Sequence, residues 1–294
     1  MDIMESPFCV TLLGTGTPVP SIDRFGPCTM VEAGGRKFLF DAGRGALQRL
    51  RQLNIPFSEI SGIFLTHHHS DHVVGLPDLW LTGWIGRDWG MRSEPLRVWG
   101  PLATREMMEH LARAFRIDIE VRRHSYPAAG VVVEAQDIEE GRVYNEDGLT
   151  ITAFKVDHGG ETLLAYGYRL DYAGRSVVIS GDTTYNENLI DFASGTDLLV
   201  HEVTAMSLEL QGRSKNFDRI VRNHTPPELA GKVFARVEPK LAVYTHLLLF
   251  GEVTTEEILQ TTRSSYEGDV MVGQDLLRLE VRNGGTITPH PWGQ

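Results

Sequence analysis

Cysteine is scarce in this sequence: Cys9 and Cys28 are the only two among 294 residues. Two thiols on early apolar segments cannot staple a chain of this length, which excludes a disulfide-framework fold. The expectation is a pair of free, buried thiols in a reducing cytoplasm. No run of about 18 apolar residues exists, so no membrane-spanning helix is expected. The first residues lack a basic region followed by an apolar stretch and a small-residue cleavage site, so no secretory signal is expected either. Positive charge is also short. Lys and Arg number 28 against 39 Asp and Glu, a net charge of −11, and no dense basic run occurs. Nucleic-acid backbones are gripped by Lys and Arg, so a long nucleic-acid footprint is not expected. What is present is 41% hydrophobic residues, enough for a sizeable core, with no linker. One domain over residues 1–294 is the expectation.

The pattern of the chain is mixed α/β. Phe8–Leu13 reads as a strand running into the tight loop Gly14-Thr15-Gly16-Thr17-Pro18. Cys28–Glu32 and Lys37–Asp41 form a hairpin signal around Ala33-Gly34-Gly35-Arg36. Ala46–Leu53 and Thr104–Phe115 have helical spacing of apolar residues, and Gly62–Thr66 and Leu96–Val98 are short strands. In the second half, Leu149–Val156, Ala165–Tyr172, Ser176–Ser180, Asp197–Glu202, Leu241–Thr245, Val270–Val272 and Leu276–Val281 read as strands. Asn188–Ala193, Pro227–Val237 and Glu256–Ser265 read as helices. Two β-rich halves, each carrying helices, predict two sheets face to face with helices outside.

The informative segment is Thr66-His67-His68-His69-Ser70-Asp71-His72. It follows an apolar strand and precedes a Gly-Leu-Pro turn into a helix. His67 and His69, two apart on an extended chain end, can point the same way, and Asp71 and His72 follow on the turn. Four polar groups at one strand end serve no structural need, so His-x-His-x-Asp-His points to a metal. His158, Asp182 and His246 each come at or just after a strand end, where function collects in α/β folds. His68, between two ligand candidates, is expected to point away. His110, His124 and His290 read as surface residues. Trp80, Trp84 and Trp89 crowd the segment after the histidines, and either helix packing or a pocket wall or dimer contact would account for them. Trp99 belongs to a strand nearby.

On these motifs the chain resembles the metallo-β-lactamase superfamily, most closely its ribonuclease Z and arylsulfatase-like branch. The likeness runs from Gly14-Thr15-Gly16-Thr17 through Phe40-Asp41-Ala42-Gly43 to Gly273-Gln274-Asp275-Leu276. It implies a four-layer αββα sandwich and a binuclear site, with His67, His69 and His158 on one metal and Asp71, His72 and His246 on the other. Asp182 would bridge them and Asp41 would support the ligand loop. Imidazole suits zinc, and carboxylates admit manganese or iron. Two divalent ions facing two aspartates and a bridging hydroxide leave residual positive charge, which favours anionic substrates. Val200-His201-Glu202-Val203-Thr204 and Asn223-His224-Thr225-Pro226 resemble a further pair of ribonuclease Z motifs. By that likeness His224 would contact the scissile phosphate or donate a proton to the leaving group, with Glu202 orienting and polarising it. Strand alternation lets only one of His201 and Glu202 reach the site.

One departure shapes the expected partner. Only Gly159–Ser180 separates His158 from Ser180-Gly181-Asp182-Thr183, so the long arm with which ribonuclease Z grips tRNA is missing. With the acidic charge, this sets tRNA aside. The expectation is a cytoplasmic metal-dependent hydrolase, no membrane partner, and a small-molecule anionic ester as substrate, phosphodiesters first. Arylsulfatase, lactonase or β-lactam hydrolase chemistry on the same site are the alternatives, with a metal-binding regulatory protein as the non-enzyme one. A homodimer is compatible with the aromatic cluster.

Overall fold

The computed structural model describes residues 7–160 and 163–293; residues 1–6, where the chain was read for a secretory signal, lie outside them. Side chains alternate along its strands and sort into three layers of core. The first sheet begins with β1 (Phe8–Gly14), β2 (Cys28–Ala33), β3 (Arg36–Phe40), β4 (Ile60–Phe64), β5 (Leu96–Gly100) and β6 (Val133–Asp137). The second holds β7 (Gly141–Glu146), β8 (Leu149–Val156), β9 (Ala165–Tyr172), β10 (Arg175–Ile179), β11 (Leu198–Met206), β12 (Leu241–Phe250) and β13 (Val270–Val272). The chain then returns to the first sheet as β14 (Leu277–Val281) and β15 (Ile287–His290). The orders are β15-β14-β1-β2-β3-β4-β5-β6 and β13-β12-β11-β10-β9-β8-β7.

Between the sheets lies an apolar layer in which Phe8, Val10, Leu12, Phe38 and Phe40 meet Tyr168, Leu170, Val177 and Val200. Phe64 stacks on Phe40 and on Trp99 at 5.3 and 4.5 Å. The odd-numbered partners in the same strands, Leu13 and Leu39, face outward to a second layer under α1 (Ala46–Gln52), α3 (Leu76–Ile85) and α4 (Thr104–Ala114). α2 (Ser70–Val73) and α5 (Arg116–Arg122) complete that side. On the far side, α6 (Glu187–Ala193), α8 (Pro227–Val237) and α9 (Thr255–Arg263) cover the second sheet through Leu189, Phe234 and Ile258. α7 (Lys215–Arg222) buries no residue. The four-layer αββα sandwich is thus the observed architecture. No helix among the described residues is long and apolar enough to cross a membrane.

Two strands run further than their sequence pattern suggests. β11 continues past Glu202 to Met206, and β12 continues past Thr245 to Phe250. His246 therefore sits within a strand and does not end one. A bulge explains this: Glu202 pairs with Thr245 but Val203 pairs with Leu247. His246 is the extra residue, held at φ 45°, and a bulge re-aims its side chain without ending the ladder. β6, β7 and β15 give no periodicity strong enough to be read from sequence; α5 alternates its apolar residues at the strand period, and α7 has helical spacing at Phe217, Ile220 and Val221 but spans only eight residues.

Trp80 and Trp84 resolve as packing. Both are buried, and their indole N–H groups donate to the carbonyls of Val131 and Pro127 at 3.0 and 2.8 Å. Trp89 lies under the Arg51 guanidinium, 3.7 Å from its ring centroid. Cys9 and Cys28 are both buried and free.

Candidate metal centre

The strand ends converge along one edge of the sandwich. The chain leaves β4, keeps His69 extended, and enters α2 with Asp71 and His72 in its first turn. His158 follows β8. Its Nε2 lies 3.1 Å from Nδ1 of His69, which lies 3.0 Å from Nε2 of His67. Three nitrogens each about 2.0–2.1 Å from a tetrahedral zinc would stand roughly 3.3 Å apart. The observed spacings match that to within a few tenths of an ångström.

Asp182 arrives on the tight turn after β10. Gly181 makes that turn with φ +61°, and a Cβ there would stand 2.7 Å from the Tyr166 carbonyl oxygen; only glycine fits. The Asp182 Oδ2 atom lies 3.3 Å from His72 Nε2, 3.4 Å from His246 Nε2, 3.7 Å from His158 Nε2 and 3.9 Å from His67 Nε2. Asp71 Oδ2 is 3.3 Å from His246 Nε2 and 3.5 Å from His72 Nε2. All seven sequence-selected ligand candidates are thus brought together, and the sets His67-His69-His158 and Asp71-His72-His246 could each hold an ion.

The surroundings orient these rings. His72 Nδ1 meets Asp41 at 2.7 Å. Asp41 also accepts from the Thr66 backbone N–H at 2.8 Å and from its hydroxyl. His67 Nδ1 meets the Thr66 hydroxyl at 2.9 Å, and His158 Nδ1 meets the Asn223 carbonyl at 2.8 Å. In each of these three rings the far nitrogen is anchored and Nε2 is left facing the centre, the arrangement metal-ligating histidines adopt. His72 Nε2 is buried and makes no hydrogen bond, although two carboxylates flank it. An orphaned nitrogen between carboxylates is costly unless a cation completes the set, so these residues fit divalent ions.

Protonation agrees. Burial, followed by the neighbouring imidazoles, pushes His67 well below its ordinary range and lowers His69. Burial also lowers His158, so these rings keep lone pairs free for ligation. Burial alone would raise Asp182, yet His246 and His72 hold it well below the carboxylate range. Burial opposes Asp71 in the same way, and the His246 hydrogen bond brings it down.

Glu202 and His224 form a second pair beside the first. Glu202 is 1% exposed. Its Oε1 accepts from the backbone N–H of Thr225 at 2.8 Å and lies 3.3 Å from His224 Nδ1. Burial would lower His224, but the Glu202 carboxylate overrides it and lifts the imidazole to about 9. His201 faces the other way, against Phe234, as alternation requires. The His224 ring stands 4.7 Å from that of His158 and 5.7 Å from that of His246. His68 points away to Thr104 Oγ1, while His110, His124 and His290 are exposed. A cleft of about 580 Å³ opens over the centre. Its outer wall includes Arg219 of α7 and Phe250 of β12, neither of which carried a motif signal.

The sequence profile of the β-lactamase superfamily domain matches residues 36–247. Ribonuclease Z of Mycolicibacterium gilvum is 34% identical over 285 residues, covering 95% of this chain and 98% of that protein. Among solved structures, the metallo-β-lactamase fold protein YhfI of Bacillus subtilis superposes with a TM-score of 0.74 at 19% identity, covering 93% of this chain and 99% of that one. Human tRNase Z, short form, superposes at 0.67 with 21% identity, covering 92% and 98%. At these identities the structural likenesses speak for the fold alone. The chain belongs to the β-lactamase superfamily and, within it, to the ribonuclease Z family. It is a metal-dependent hydrolase of the phosphodiesterase kind.

This membership overturns the expectation of a small-molecule ester with tRNA set aside. The Mycolicibacterium ribonuclease Z is itself covered over 98% of its length, which leaves little room for a long arm that this chain lacks. Net charge misled for a physical reason: −11 averages over the whole chain, whereas a nucleic acid is met by a local surface.

Proposed function

We propose that this chain hydrolyses phosphodiester bonds of RNA at a centre of two divalent ions. Transfer RNA is the first substrate to try, given the names of its relatives. In this reading His67, His69 and His158 hold one ion, Asp71, His72 and His246 the other, and Asp182 lies between. The observation that carries it is the Asp182 Oδ2 atom, within 3.3–3.9 Å of four imidazole nitrogens. Zinc suits a nitrogen-rich set, with manganese or iron as alternatives.

The ions would supply a nucleophile at neutral pH and charge neutralisation for the phosphoryl oxygens. The chain's own groups do the rest. Asp71, ionised and at the floor of the cleft, accepts the proton of the attacking water. His224, beside His158 and His246, carries a proton and gives it to the leaving oxygen, which otherwise departs as an unstable alkoxide. Glu202 fixes the orientation of His224 and keeps it charged. The Asp41–His72 contact and the Asn223 carbonyl hold the ligand rings in place.

Metal analysis and RNA cleavage test this together. Purified protein should hold about two ions per chain and cut precursor tRNA or unstructured RNA only when loaded. Asp71→Ala should stay folded and lose most of that turnover. A stoichiometry near zero after reloading would remove the binuclear centre; fully loaded protein that leaves both RNAs intact would remove the substrate.

A further inference from the structure

The floor of the cleft is accounted for by the metal centre, but its outer wall is not. Arg219 sits on α7, one helical turn before Asn223, whose N–H donates to the Arg219 carbonyl at 3.2 Å. Residues four apart share a helix face, and Asn223 uses its own carbonyl to orient His158. Arg219, Ile220 and Asn223 line the cleft, whereas Asp218, Val221 and Arg222 line a groove on the other side of α7, so Arg219 stands on the site side. Its guanidinium has no ion pair or hydrogen bond among the described residues. Other arginines in this acidic chain, such as Arg49, Arg97, Arg169 and Arg236, are paired with carboxylates. Arg219 is the one Lys or Arg among the described residues lining the cleft.

Phe250 lies on the same wall, half-buried at the end of β12, with its ring 5.3 Å from that of Phe217. Ile220, Leu248 and Leu163 extend the apolar surface beside it. A phosphate ester without a base would leave this surface uncovered. An unpaired guanidinium and an aromatic ring lining one cleft are the two elements that single-stranded nucleic acid meets elsewhere: cation to phosphate, ring to base.

We infer that Arg219 and Phe250 form a subsite for the nucleotide adjoining the scissile bond, with Arg219 on the neighbouring phosphate and Phe250 against the neighbouring base. The inference rests on the RNA reading proposed above and adds the residues that make a strand a better substrate than an isolated diester. Both act on binding, so they should move KM and leave kcat largely alone.

The test compares a fluorescent single-stranded hexaribonucleotide with bis(p-nitrophenyl) phosphate, using zinc-loaded protein over a range of salt. Arg219→Ala should lose about tenfold in kcat/KM on the hexanucleotide, carried by KM, and at least several times less on the aryl diester. The salt slope of hexanucleotide binding should fall by about 0.7, the value for one single-strand phosphate contact. Arg219→Lys, which keeps the charge, should recover most of the slope. Phe250→Ala should lose about tenfold on the hexanucleotide, and an abasic residue at the matching position should erase the difference from wild type. Arg222→Ala, removing the same charge from the groove on the other side of α7, is the control. Equal losses on both substrates, or an unchanged slope in Arg219→Ala, overturn the subsite. Wild-type protein that cleaves the aryl diester but leaves both precursor tRNA and the hexanucleotide intact overturns the RNA reading itself; wild-type protein that cuts precursor tRNA but neither binds nor cuts the hexanucleotide overturns the subsite alone, so the two failures are distinguishable.

Discussion

At the scale of single residues, the Glu202–His224 pair is the most informative. A buried histidine 3.3 Å from a buried glutamate is lifted to about 9, so it remains protonated at neutral pH. Its charged form is present below that value and is lost as pH rises through it. Turnover on substrates with poor leaving groups should therefore fall on the alkaline side. Glu202→Gln removes the charge that holds the proton, so this alkaline fall should move to lower pH. His224→Ala should cost ~10²–10⁴-fold on poor leaving groups, the usual worth of a positioned proton donor. It should cost less on nitrophenolate, which departs without help, and metal content should be unchanged. A pH-rate profile on the two substrate types checks all of this; an alkaline limb that does not move in Glu202→Gln would show that Glu202 acts on fold alone. Most of this was legible in the sequence: His-x-His-x-Asp-His marks its ligand candidates because few other uses exist for that spacing. Arg219 was not, because a surface arginine on a short helix looks the same whether it faces a cleft or solvent.

At the scale of elements, the site is set by irregularities in otherwise regular strands. The β12 bulge rotates His246 into the centre. The Gly181 turn drops Asp182 between four imidazoles. Both place backbone in the left-handed region, which costs an ordinary residue roughly 1–2 kcal/mol. Gly181→Ala meets that cost and also a carbonyl at 2.7 Å. It should lower stability in urea by at least about 1 kcal/mol and weaken metal retention, as Asp182 is pushed aside. Equilibrium unfolding with metal analysis of the same samples measures both, and unaltered metal content would mean that Asp182 tolerates displacement. Sequence periodicity found β1, β8, β9 and α8 because their apolar repeats are long. It truncated β11 and β12 because the polar residues of the site, Glu202 and His246, interrupt the repeat where function displaced packing.

At the scale of the whole molecule, two sheets and three apolar layers hold seven candidate ligands in one cluster, all buried except His69. Asp71 and Asp182 are 5% and 3% exposed, so without ions their charge is balanced only by neighbouring imidazoles. Ion binding should therefore stabilise the entire fold, by about 2.7 kcal/mol at a free concentration about 100 times the dissociation constant. Chelation should lower the midpoint of thermal unfolding by several degrees, and zinc should restore it. A midpoint indifferent to chelator at full metal removal would place the cluster's stability in hydrogen bonds alone. The sequence by itself determined the candidate ligand types, the sandwich and the family, because local spacing and strand periodicity are properties of neighbouring residues. Only the tertiary structure decided that His158 and His246, the latter 179 positions from His67, meet one oxygen of Asp182, and that Arg219 and Phe250 line one cleft. Those placements depend on how layers pack and where strands bulge, and no short stretch of chain encodes either.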